Sequence, residues 1–151
     1  MASSFVTDIA KAGFANGLLC YWSSVTASYY VTLVTTGYVP SPAHSMASNF
    51  SGFEVGGGFT SGLNGTIRIS LTNRTVVSNT VSHQAEFNAA QVSWVSLTGT
   101  VAAWAILQQG TTNGNSPLIV YNSLGGFPIT MSGATLILSF PNSGVFLLRD
   151  A

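Results

Sequence analysis

The chain is 151 residues long but carries only four Lys or Arg and four Asp or Glu, so 5% of it is charged and its net charge is zero. Soluble domains are roughly 25% charged, and four cations are too few to hold nucleic acid by neutralising its phosphates. The uncharged stretches are broken by Gly, Ser, Thr, Asn and Gln and contain no run of about 18 apolar residues that could span a bilayer as a helix, so no membrane partner is expected either.

With so little charge to keep monomers apart, much of the surface is expected to face other protein. Residues 1–151 read as one domain, because neither a Pro-rich linker nor a change of composition divides them. A domain of this size buries roughly 68–70% of its unfolded surface, enough for a self-sufficient core. Met1 to Asp8 lack the basic start and apolar block of a secretory signal, so export is not expected. The single Cys20 cannot form an internal disulfide and reads as a small buried hydrophobe.

Taken in chain order, the first pattern is helical. Phe5, Ile9 and Ala12 recur at intervals of four and three behind Ser3 or Ser4 as N-cap, and Gly13 and Gly17 offer a stop. One short helix is predicted over about residues 4–15. From Tyr29 onward β-branched and aromatic residues gather in short runs between turn formers. Residues 29–35 predict a strand with Tyr30, Thr32 and Val34 facing opposite to Val31 and Leu33. Pro40 and Pro42 exclude a central strand, so residues 40–50 are read as a crossing segment with a helical turn at His44–Ser48.

Residues 66–72 alternate strictly, placing Ile67, Ile69 and Leu71 on one face and Arg68 on the other. Val76-Val77, the run from Val81 to Phe87 and Val92-Ser93-Trp94 follow. Residues 100–107 are apolar in both registers, which predicts a mid-sheet strand buried on both faces. A polar loop at 109–116 should join it to residues 118–121 as a hairpin. Residues 134–140 and 145–148 are predicted to form a last hairpin across 141–144. Seven or eight short strands after one helix predict an all-β protein, an antiparallel β-sandwich or jelly-roll-like barrel with one short N-terminal helix.

Few residues here can carry chemistry. Glu54 and Glu86 are available as the paired carboxylates of a glycoside hydrolase, but no acidic or aromatic cluster surrounds either in sequence. His44 and His83 stand far apart with no ligand-spaced partner, so no metal is expected. A Ser-His-Asp triad lacks its Gly-x-Ser-x-Gly elbow. The glycines at 56–58 precede no Lys-Ser/Thr pair and read as a tight loop rather than a phosphate cradle, and no cofactor motif occurs. Three Trp and five Tyr raise the idea of a sugar-stacking face, although aromatics serve cores and protein interfaces more often. Tyr21-Trp22 and Tyr29-Tyr30 are adjacent pairs whose members point to opposite faces if extended. Tyr21, Trp22, Tyr29 and Tyr30 are therefore the predicted contacts with a partner subunit.

The order of segments resembles a family of small virion structural proteins of tailed bacteriophages. The likeness begins with residues 11–17, Trp22, the strand at 30–34 and Gly37-Tyr38-Val39-Pro40. It continues through Phe53-Glu54-Val55, Phe59-Thr60-Ser61-Gly62, residues 87–94, Trp104-Ala105-Ile106-Leu107, residues 116–121, Leu124-Gly125-Gly126, Ala134-Thr135-Leu136 and Gly144-Val145-Phe146. It covers nearly the whole chain, which departs from the family in being much poorer in charge. The resemblance implies a non-enzymatic particle component. On that basis the chain is expected to be a capsid decoration or cement protein that binds the major capsid protein or other virion subunits. It is expected to be homo-oligomeric, with a trimer as one fitting arrangement, and to reside in the virion after assembly in the host cytoplasm. A tail, baseplate or fibre component and a carbohydrate-binding attachment module are the alternatives.

Overall fold

A computed structural model describes residues 4–15, 22–23, 27–50, 52–55, 68–82, 84–110, 114–140 and 145–149. Along the chain these form β1 (Ser4–Val6), α1 (Asp8–Ala15), β2 (Tyr29–Val34), a 3-10 turn (Ala47–Phe50), β3 (Ile69–Ser70), β4 (Thr75–Asn79), β5 (Gln84–Asn88), β6 (Val92–Val101), β7 (Ala103–Gln108), β8 (Leu118–Asn122), β9 (Ile129–Leu138) and β10 (Phe146–Arg149). Every strand pairing is antiparallel. The described residues are thus all-β with one short helix. Their strands make a five-stranded sheet in the order β1-β8-β7-β2-β3, a three-stranded sheet β10-β5-β4, and a two-stranded ribbon β6-β9.

Alternation decides where the core lies. In β2, Tyr29, Val31 and Leu33 enter a core shared with Phe87 of β5, Val92, Trp94 and Leu97 of β6, and Ile106 of β7. Val34, on the opposite face, joins Ala103, Ala105, Leu107, Leu118 and Tyr121 beneath the crossing segment, which contributes Ala47 and Phe50. The five-stranded sheet is therefore buried on both faces. β7, third in its order, is the two-faced mid-sheet strand that its apolar sequence predicts.

Several boundaries differ from the sequence reading, most of them because a distant partner outweighs local pattern. Residues 4–6 are a strand rather than a first helical turn, since Phe5 and Val6 pair with Tyr121 and Val120 of β8. The helix begins at Asp8, capped by Thr7, whose Oγ1 accepts from the Ala10 amide at 3.3 Å while its hydroxyl donates to the Leu118 carbonyl. Its buried side runs through Ala10 and Gly13, and Ala12 is exposed. The turn expected at 44–48 lies at Ala47–Phe50, where the Asn49 side chain accepts from the amides of Ser45 and Met46.

The predicted strand at 100–107 is split. Val101 ends β6, which pairs with β9, and Ala102 donates its amide to the Val34 carbonyl at 2.7 Å as the chain passes into the five-stranded sheet. The terminal hairpin also proves wrong. β9 pairs with β6, placing Leu138 opposite Val92 and Leu136 opposite Trp94, whereas β10 pairs with β5. Ile67 and the glycines at 56–58 lie outside the described residues.

Candidate functional site

The four predicted contact residues do not form one surface. Trp22 and Tyr29 are fully buried, their rings 4.8 Å apart, and the Trp22 indole donates to the Asn88 carbonyl at 2.8 Å. Both are core residues rather than partner contacts, because a ring with no exposed area has no face to offer a partner. Tyr30 is half-buried on the opposite side of β2, and its hydroxyl lies 3.3 Å from Gln109 Oε1. Tyr21 lies outside the described residues.

Two of the described ions, Glu54 and Arg68, are held within the fold. Glu54 bridges to the end of β2 at Val34, and its side chain is 3% exposed. Arg68 grips it with two hydrogen bonds, Nε to Oε1 at 2.7 Å and Nη2 to Oε2 at 3.0 Å, and the Thr32 hydroxyl donates to Oε1 at 2.5 Å. The alternation that turns Ile69 and Leu71 inward turns Arg68 to the side of Thr32. Arg74 lies over the Tyr29 ring at 4.9 Å and donates to the Ala27 carbonyl, with burial lowering its pKa from the ordinary guanidinium value. Asp8 and Lys11 pair in the open at 3.4 Å.

Glu86 lies on β5, in a different sheet from the end of β2 to which Glu54 bridges. It accepts from Asn79 Nδ2 at 3.0 Å and Gln84 Nε2 at 3.1 Å, bonds that hold its carboxyl below the usual range. Each glutamate is thus committed to its own neighbours rather than to the other. Among the described residues, no three His, Cys, Asp or Glu side chains gather as metal ligands would, and no helix is long and apolar enough to cross a membrane. His83 lies outside the described residues.

A cleft of about 470 Å³ opens between residues 35–40 and 123–128, walled by Tyr38, Tyr121 and Phe127 with hydroxyls from Thr35, Thr36 and Ser123. Gly37, at φ +97, shapes its rim, and a Cβ there would lie 3.2 Å from the Phe53 ring. Tyr38 shares a 2.6 Å hydrogen bond with His44 Nδ1 and stands 5.6 Å from Tyr121. Burial, with the Tyr121 phenol adding to it, pushes the Tyr38 pKa up to about 12. Sequence reading missed this cleft, since its two walls are separated by some 85 residues and its aromatics are isolated in sequence.

Among the described residues, β4 is a short, exposed strand at the end of its sheet. Residues Thr75 to Ser78 are all exposed, on both faces of the strand, although Val76 and Val77 are apolar. Among the described residues only β5 pairs with β4, leaving its outer edge open. Natural edge strands are blunted by Lys, Pro or a bulge, and β4 has none of these. The ribbon adds a second neutral surface, where Val95 of β6 and Ile137 of β9 are 61% and 55% exposed. No known protein family, curated protein or solved structure matches the chain.

Proposed function

We propose that this chain is a non-enzymatic structural subunit of a tailed-phage virion, a decoration or cement protein that binds the outer head shell and stabilises it. The observation that carries the reading is a pair of separate neutral, apolar surfaces, the β4 edge and the ribbon face bearing Val95 and Ile137, which give one subunit two places to meet others. Neutral surface costs little to desolvate, so it suits contact with a shell protein. Repetition of a modest interface around symmetry axes then adds stability through avidity and mass action. The phage setting rests on the resemblance in segment order.

Imaging of purified particles at a resolution that traces the chain is the test. Decoration predicts a copy at each equivalent position of the shell, bound to the major capsid protein. Confinement to the tail would favour a baseplate or fibre role instead. Particles depleted of the subunit should melt below complete ones, and equal melting would refute a stabilising role.

A second reading, a carbohydrate-binding attachment module, draws on the aromatic cleft with its ring of hydroxyls. A glycan array that stays blank with the assembled oligomer would eliminate it.

A further inference from the structure

We infer that the partner of the open β4 edge is a second copy of the same strand, paired antiparallel about a two-fold axis at Val77, so that two three-stranded sheets become one of six. This deepens the proposed structural role and rests on it. The backbone fixes the geometry. In an antiparallel strand each residue turns both its N–H and C=O to one side, and successive residues alternate. Phe87 of β5 turns toward β10, where its carbonyl accepts from the Val145 amide at 2.6 Å, so its neighbours Glu86 and Asn88 turn toward β4. Ala90, two residues beyond Asn88, donates to the Thr72 carbonyl on that same side. The residues registered with Glu86 and Asn88 are Val77 and Thr75, which therefore face β5. Val76 and Ser78 are left to point their amides and carbonyls outward.

Only certain registers satisfy those groups. An antiparallel partner must match outward residues with outward residues, and a two-fold axis at Val77 sets Val76 against Ser78 of the second copy and Ser78 against its Val76. That yields four interchain backbone hydrogen bonds. The two Val77 residues meet as a close non-hydrogen-bonded pair, with Thr75 facing Asn79 at each end. A shift by one residue would set outward groups against inward ones and lose every bond. The strand carries no charge to repel its own copy, which distinguishes this occupant from a charged peptide.

The intact 151-residue chain tests this by sedimentation equilibrium and residue-resolved hydrogen exchange, over concentrations up to the order of 100 μM, where edge-strand pairs of modest area form. The wild type should sediment as a dimer, and exchange at Val76 and Ser78 should slow as concentration rises while Val77 stays protected throughout. Val77→Glu brings two new carboxylates together beside both Glu86 side chains, and should weaken self-association at least about tenfold with partial recovery in high salt. Ser78→Pro removes an outward amide without touching the β4–β5 ladder and should give a monomer with an unchanged far-UV spectrum. Thr135→Glu, on exposed β9, should leave the dimer intact. If both β4 variants keep the wild-type mass, or exchange at Val76 and Ser78 ignores concentration, the β4 pairing is overturned while a self-assembling subunit stands. A wild type that is monomeric throughout overturns the pairing and the argument from missing charge together.

Discussion

Removing Arg68 while keeping Glu54 should be among the most damaging single changes in this protein. Glu54 and Arg68 side chains are 3% and 9% exposed, and the guanidinium supplies two of the three hydrogen bonds described on the carboxylate. Arg68→Met leaves a buried carboxylate facing the Thr32 hydroxyl, a change that costs about 3–5 kcal/mol. In a domain of this length, each kcal/mol shifts Tm by roughly 2–4 °C, so Tm should fall by roughly 6–20 °C. The double variant Arg68→Met with Glu54→Met behaves differently, because an ion pair replaced by apolar side chains is neutral or stabilising by up to about 4 kcal/mol. Against that stands the Thr32 hydroxyl, whose lost acceptor costs about 1–3 kcal/mol. The double variant should therefore lie within about 3 kcal/mol of wild type. Urea titrations of the three proteins at one protein concentration measure this cycle. A single variant that loses under about 1 kcal/mol, or a double variant worse than the single, would refute the reasoning.

Other expectations are more local. Trp22→Ala should cost about 3–5 kcal/mol in urea unfolding and leave the sedimenting mass of the folded fraction unchanged, since its ring lies in the core; a mass change without lost stability would return Trp22 to an interface. Gly110→Ala should destabilise by about 1–3 kcal/mol or more, because the added Cβ would lie 2.2 Å from the Asn115 carbonyl oxygen. In an ultraviolet titration Tyr38 should ionise near pH 12, and Tyr38→Phe should reduce the late step, to which the buried Tyr121 phenol, also raised, contributes as well. An unfolded phenol ionises near 10, so between pH 10 and 12 the unfolded state binds fewer protons, and stability should fall as pH rises through that window. A Tyr38→Phe variant with the same alkaline loss as wild type would contradict this.

The fold was legible in the sequence wherever its cause is local. Period-two alternation identified the two faces of β2, the inward Ile69 and Leu71 with Arg68 opposite, and the doubly buried β7. Long-range pairing was not legible. Nothing near Phe5 announces Tyr121, and nothing near Leu138 announces Val92, so a helical start and a terminal hairpin were expected where strands pair across the chain. The break at Ala102 arises because two sheets claim adjacent residues of one apolar run.

For the candidate surfaces the same division holds. Scarcity of charge raises the expectation of covered faces without saying which, and adjacent aromatic pairs are a poor guide to exposed surface, because Trp22 and Tyr29 supply core volume. Val76-Val77 stood out only as a short apolar run. Its exposure follows from the position of β4 at the rim of a three-stranded sheet, a property of topology that composition cannot carry.

Oxidative footprinting of the assembled particle against the dilute, dissociated chain tests most directly whether neighbours cover the neutral faces. Val76, Val77, Val95 and Ile137 should label readily in the free chain and become strongly protected in the assembly, while exposed Lys11 stays reactive toward an amine reagent in both. Equal labelling of the four apolar residues in both states would contradict the account.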